Sequence, residues 1–72
     1  MSNLEIQVEQ ESDGRWLAEA TQLPGVMVYG LTRELAIQNV EVLALRVIAD
    51  RIEHGETVPV RGGFTVHPAT GT

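Results

Sequence analysis

The sequence predicts an α+β fold: one sheet with a single long helix packed on one of its faces. Three observations predict it. Apolar and polar residues alternate near the start of the chain, two turn signatures follow, and residues 33–54 contain neither Gly nor Pro. Strand periodicity, turns and an uninterrupted helical stretch therefore appear in that order.

Leu4, Ile6 and Val8 alternate with Glu5, Gln7 and Glu9, the period-two pattern of a strand with one buried face. Ser12-Asp13-Gly14 is a turn signal, and Asp-Gly between two alternating runs favours a hairpin. A second strand is expected over residues 15–22, with Trp16, Ala18 and Ala20 on one face and Leu17 and Glu19 on the other. Leu23-Pro24-Gly25-Val26 reads as a second turn. Pro24 presets the first central dihedral, and Gly25 supplies the positive φ that a type II turn needs next. Residues 26–29 then form a short third strand, ended by Gly30.

Thr32 occupies a helix N-cap position, and Glu34 lies in the first turn, where negative charge is favoured. Residues 33–54 give one helix of about six turns. Gly55 is its C-terminal stop, with His54 beside the last carbonyls. A fourth strand is expected over residues 57–67, carrying Val58, Val60, Phe64 and Val66, with a bulge or bend at Gly62-Gly63. The order is β-β-β-α-β, an antiparallel three-stranded meander followed by a crossover helix. A right-handed crossover sets the fourth strand parallel to the first. Residues 1–67 read as a single domain and residues 68–72 as a flexible polar tail.

Size limits what this chain can bury. At 72 residues the core is marginal without some addition, since a domain near this size buries only about 60% of the surface its unfolded chain exposes. The absence of cysteine removes disulfides and most zinc sites, which leaves oligomerisation. The net charge is −5, and all five basic residues are arginines, Arg15, Arg33, Arg46, Arg51 and Arg61, scattered along the chain. That balance argues against binding phosphate backbones and suits a basic partner. No apolar run approaches the ~20 residues of a membrane span, and no secretory signal pattern opens the chain. A cytoplasmic location, with no membrane partner, is the expectation.

The helix carries more apolar surface than one sheet needs. Ala36, Val40, Leu43 and Val47 form one stripe, flanked by Ala44 and Ile48, and this is the face expected to pack on the sheet. Leu35, Val42, Leu45, Ala49 and Ile52 fall on the broadly opposite side, interrupted by Gln38, Glu41 and Glu53. Scattered surface leucines are common. Contiguity of this stripe and the small core favour a self-association surface instead, giving a homo-oligomer.

The residues give no catalytic, cofactor or metal site. His54 falls in the helix cap and His67 in the last strand, and no spacing brings either near a carboxylate, so both read as structural. Asp13 reads as a turn residue and Asp50 as a solvated or capping residue. Gly62-Gly63 is no phosphate loop, because neither Lys-Ser/Thr nor a helix follows it. Trp16 and Tyr29 read as core or hinge aromatics rather than an exposed patch. The predicted topology also opens the ribonuclease H-like fold, whose two-metal nucleases need converging carboxylates from the first strand, helix and fourth strand. Glu5 and Glu9 lie opposite Leu4, Ile6 and Val8, and the fourth strand has no acid beyond Glu56 before it. The constellation is missing, and no nuclease activity is expected.

The segment DGRWLAEATQLPGVMVYGLTRELAIQNVEVLALRVIADRIEHGE resembles the HicB-like antitoxin family. The matching elements are Gly14 to Glu19, Leu23-Pro24-Gly25, Tyr29-Gly30-Leu31-Thr32, and Glu34 with Ala36. They cover nearly all the chain up to about Gly55. The resemblance implies a partial ribonuclease H-like fold without catalysis, assembly into dimers or tetramers, and sequestration of a small basic RNA-cleaving toxin similar to HicA. Many members also carry a C-terminal ribbon-helix-helix or helix-turn-helix module. The sequence has no such motif after its fourth strand, so direct nucleic-acid binding is not expected. Leu31 departs from the acidic or small residue common there, and packing on Ala36 as a hydrophobic staple would explain it. The expected function is a non-enzymatic protein-binding module. The alternatives are a solitary regulatory or structural oligomer without a toxin and, from another class, a metal-dependent nuclease.

Overall fold

The computed structural model describes residues 3–58 and 63–68. Its elements are β1 (Leu4–Gln10), β2 (Trp16–Ala20), β3 (Met27–Gly30), α1 (Arg33–Glu53) and β4 (Phe64–Pro68). The strands form one sheet in the order β3-β2-β1-β4. β1–β2 and β2–β3 are antiparallel, and β4 runs parallel to β1. This is the expected α+β architecture.

Alternation in β1 turns Leu4, Ile6 and Val8 inward, where all three are buried. Register does the rest. Ile6 pairs with Ala20 and Val8 with Ala18, and Ala18 pairs with Val28. On the other side Leu4 pairs with Phe64 and Ile6 with Val66. The inward face of the sheet is thus apolar across all four strands. Ala36, Val40 and Ala44 of α1 are buried in the same cluster, with Leu43, Val47 and Ile48 partly buried around them. Four of the ten buried core residues are alanine, so the helix approaches the sheet closely while each contact removes little apolar area from water.

Turn and cap chemistry fix the ends. Gly14 closes the first hairpin with φ +92, and its N–H donates to the Glu11 carbonyl at 2.9 Å. Pro24 and Gly25 form the centre of the second turn. Val26 N–H donates to the Leu23 carbonyl at 3.0 Å, and Gly25 has φ +83, as a type II turn requires. Thr32 is the N-cap, its hydroxyl accepting from Leu35 N–H at 3.1 Å. At the other end Gly55 N–H donates to Ile52 O and Glu56 N–H to Arg51 O, the paired bonds of a Schellman stop.

The start of β1 is fastened on both sides. Gln22 accepts from Glu5 N–H at 2.8 Å and donates to Asn3 O at 2.9 Å, extending the β1–β2 ladder with a side chain. Leu4 N–H donates to Gly63 O at 2.8 Å, and the Asn3 amide donates to the Thr65 hydroxyl at 2.9 Å.

Several boundaries differ from the sequence expectation. β2 ends at Ala20, because Gln22 leaves the ladder to make its side-chain clasp. β3 starts at Met27, since the Val26 N–H is used within the turn. α1 ends at Glu53, and His54 is the C-cap. β4 begins only at Phe64, so Thr57 and Val58 are connection rather than strand. The expected strand position of Val60 and the bulge at Gly62 lie outside the described residues, as do residues 69–72 of the expected tail. Pro68 belongs to β4. Leu31 is 79% exposed and makes no staple. Gly30 instead takes the place over Ala36, where a Cβ would stand 2.5 Å from Ala36 N.

Two glycine substitutions separate backbone strain from steric conflict. Gly25→Val is expected to lower stability by about 1–3 kcal/mol through its positive φ alone, because nothing lies within 4 Å of an added Cβ. Gly30→Ala is expected to cost about 1–3 kcal/mol through overpacking, because the atoms it meets are helix backbone at 2.5–3.0 Å. Urea unfolding of both variants checks this. An unchanged midpoint for either removes the corresponding constraint.

Candidate functional site

Among the described residues no concave pocket forms, and no group of three or more His, Cys, Asp or Glu side chains could hold a metal ion. No helix among them is long and apolar enough to cross a membrane. The candidate sites are therefore surfaces, of which the structure presents two.

The first is the outward side of α1. Leu35, Val42, Leu45 and Ile52 are 44–57% exposed, and Ala49 is exposed with them. All five residues expected on this stripe are thus brought together on one side of one helix. The buried stripe of Ala36, Val40 and Ala44 lies on the other side.

The second is the face of the sheet turned away from the helix. Pairing sets its side chains in rows. Tyr29, Leu17 and Glu9 make one row across β3, β2 and β1. Met27, Glu19, Gln7 and His67 make the next, reaching β4. Glu5 and Thr65 begin a third. Three carboxylates, Glu5, Glu9 and Glu19, surround Gln7, and Leu17, Met27 and Tyr29 form an apolar strip beside them. Met27 and Tyr29 are each 46% exposed. Alternation in β1 and β2 already placed Glu5, Glu9 and Glu19 on this side. Only the register of β3 shows that Tyr29 and Met27 complete the face.

Tyr29 is therefore not a core residue, while Trp16, opposite Gly30, packs partly buried against the core. The two aromatics stand on opposite faces. The Arg15 guanidinium lies over the Tyr29 ring, 4.1 Å from its centroid, a cation–π stack. Arg15 is itself held by Asp13. Its Nε donates to Asp13 Oδ2 at 2.8 Å, and its backbone N–H donates to Oδ1 at 3.0 Å.

Both histidines have carboxylate neighbours, contrary to expectation. His67 Nε2 is 3.4 Å from Glu5 Oε1, because the parallel pairing of β4 sets His67 beside Gln7 and Thr65 beside Glu5. His54 Nδ1 lies 3.5 Å from Asp50 Oδ1 and 2.7 Å from the Asp50 carbonyl, to which it donates. The second pair belongs to the helix cap. Glu5 and Glu9 face away from α1, and the described part of β4 contains no acid, so strand and helix carboxylates do not converge.

No protein-family model, curated protein or solved structure matches this chain.

The Asp13 carboxyl is held below the ordinary aspartate value of 3.8, first by the Arg15 backbone N–H and then by its side chain. Its folded value is depressed, so its contribution is present above the unfolded value and lost as pH falls through the folded one. A carboxyl-detected NMR titration is expected to place the Asp13 midpoint below 3.8, and Arg15→Ala to raise it. A midpoint at or above that value contradicts the clasp.

Proposed function

We propose that this chain is a non-enzymatic protein-binding module that self-associates and sequesters a small, basic, RNA-cleaving protein of the HicA type. The outer face of the sheet is the observation that carries this reading. Among the described residues no element packs over it, and it sets Glu5, Glu9 and Glu19 beside the apolar strip of Leu17, Met27 and Tyr29. An apolar strip on β3 and β2 set beside carboxylates on β1 and β2 offers a protein partner both apolar contact and charge complementarity. A toxin surface built to hold RNA phosphates is basic, and carboxylates would occupy the same positions. The net charge of −5 adds attraction over longer range. Support also comes from the likeness to HicB-like antitoxins in the strand, turn and helix-start residues. Self-association is supported by the exposed apolar stripe on α1, which a core of this size leaves without cover.

The test is co-expression with any small basic protein encoded beside this chain, followed by RNA cleavage assays. Stoichiometric inhibition is expected. Glu9→Lys with Glu19→Lys is expected to weaken it at least about tenfold, the scale of lost interfacial charge pairs. The absence of such a neighbouring gene, with assembly intact, favours the solitary oligomer. RNA cleavage by the chain alone with Mg²⁺ or Mn²⁺, lost on Glu5→Gln or Glu9→Gln, overturns the non-enzymatic reading.

A further inference from the structure

The outward residues of α1 carry more than general hydrophobicity. Leu35, Gln38, Val42, Leu45, Ala49 and Ile52 recur in alternating steps of three and four. This is the a/d spacing of a heptad, sustained through three repeats, with Leu35, Val42 and Ala49 at a. At 3.6 residues per turn the seam lies about 180° around the helix from Ala36, Val40 and Ala44. A second helix therefore reaches the seam without meeting the sheet.

We propose that this seam takes a second copy of the same chain, with the two helices parallel and in register. The inference rests on the self-association reading above and specifies its geometry. Charge complementarity argues for it. In a parallel pair each g position faces the e position of the following heptad on the other helix. Glu41 at g then faces Arg46 of the second copy at e, and the two-fold axis makes the pair twice. Glu34 faces Asn39 and Ile48 faces Glu53, without like-charge conflict. An antiparallel pair sets e against e and g against g. Arg46 then meets Asn39 or another Arg46, and Glu41 meets Ile48 or another Glu41.

The central heptad agrees. Val42 at a with Leu45 at d is the β-branched and γ-branched combination that favours two parallel strands. Gln38 meets Gln38 in the parallel register, where two amides hydrogen-bond each other. In the antiparallel register Gln38 faces Ala49, which has no side-chain partner to offer, and a buried amide left unpaired is costly. A single polar layer at an a position is a known device for fixing register, and Gln38 sets one polar layer at d.

The chain has no cysteine, so introduced thiols report orientation directly. Gln38→Cys and Ala49→Cys, both at exposed positions, are made as single variants and checked for folding by circular dichroism. A mixture is then oxidised and the disulfide-linked masses are read. The parallel register gives 38–38 and 49–49 homodimers. Glu41→Arg is expected to weaken dimerisation by roughly tenfold, as for loss of two exposed ion pairs, and adding Arg46→Glu is expected to restore it. A dominant 38–49 heterodimer overturns the parallel register while leaving self-association intact. A dimer by sedimentation that forms neither homodisulfide nor heterodisulfide overturns the seam. A wild type that is monomeric at every concentration overturns both this inference and the reading beneath it.

Discussion

Close approach of one helix to one sheet is the constraint on which the rest of this structure depends. Ala36 and Ala44 on the helix and Ala18 and Ala20 on the sheet are buried in one cluster with Ile6 and Val40. Small side chains on both layers bring the backbones together. The same economy appears at the helix start, where Gly30 lies against Ala36 with no room for a Cβ. Tight packing of this kind recovers dispersion contacts. It cannot recover apolar area that alanine does not possess. A core with four alanines among ten buried residues gains little from each, and net stability is the small difference of large opposing terms.

That shortage of buried area shapes both surfaces. The helix is apolar on two sides, yet one sheet covers only one of them. Among the described residues no element covers the sheet's other face, which carries carboxylates and a strip of Leu17, Met27 and Tyr29. Arg15 does not neutralise those carboxylates, because Asp13 and the Tyr29 ring occupy it. The proposed roles follow from this division: the helix side for a second copy, the acidic sheet side for a basic partner. With the proposed roles on separate faces, assembly and partner binding would not compete for the same residues.

Local signals made the topology legible. Alternation in residues 4–9 identified β1 and its buried face, Pro24-Gly25 set the second turn, and Thr32 and Gly55 bounded the helix. Each is decided within a few residues, so no knowledge of distant contacts was required. The extent of β4 was less legible. Val58 continues the alternation of Phe64 and Val66, yet it lies outside any strand and β4 is described from Phe64. His67 and Glu5 become neighbours only through the parallel register, which no local pattern encodes. Leu31 looked like a staple by spacing, yet Gly30 holds that contact. On the helix the five exposed apolar residues are readable from the sequence, whereas Gln38 interrupts the apolar stripe by hydropathy and belongs to it by heptad spacing.

The central claim is that this small core is completed by association through α1. Sedimentation equilibrium and thermal melting across a hundredfold range of protein concentration, on the order needed to populate both states, test it most directly. Wild type is expected to sediment as an oligomer and to melt at higher temperature as concentration rises. Leu45→Glu, which would bury a carboxylate among apolar neighbours, is expected to sediment as a monomer and lose that dependence. A wild type whose mass and melting temperature are independent of concentration, with Leu45→Glu indistinguishable from it, would contradict the account.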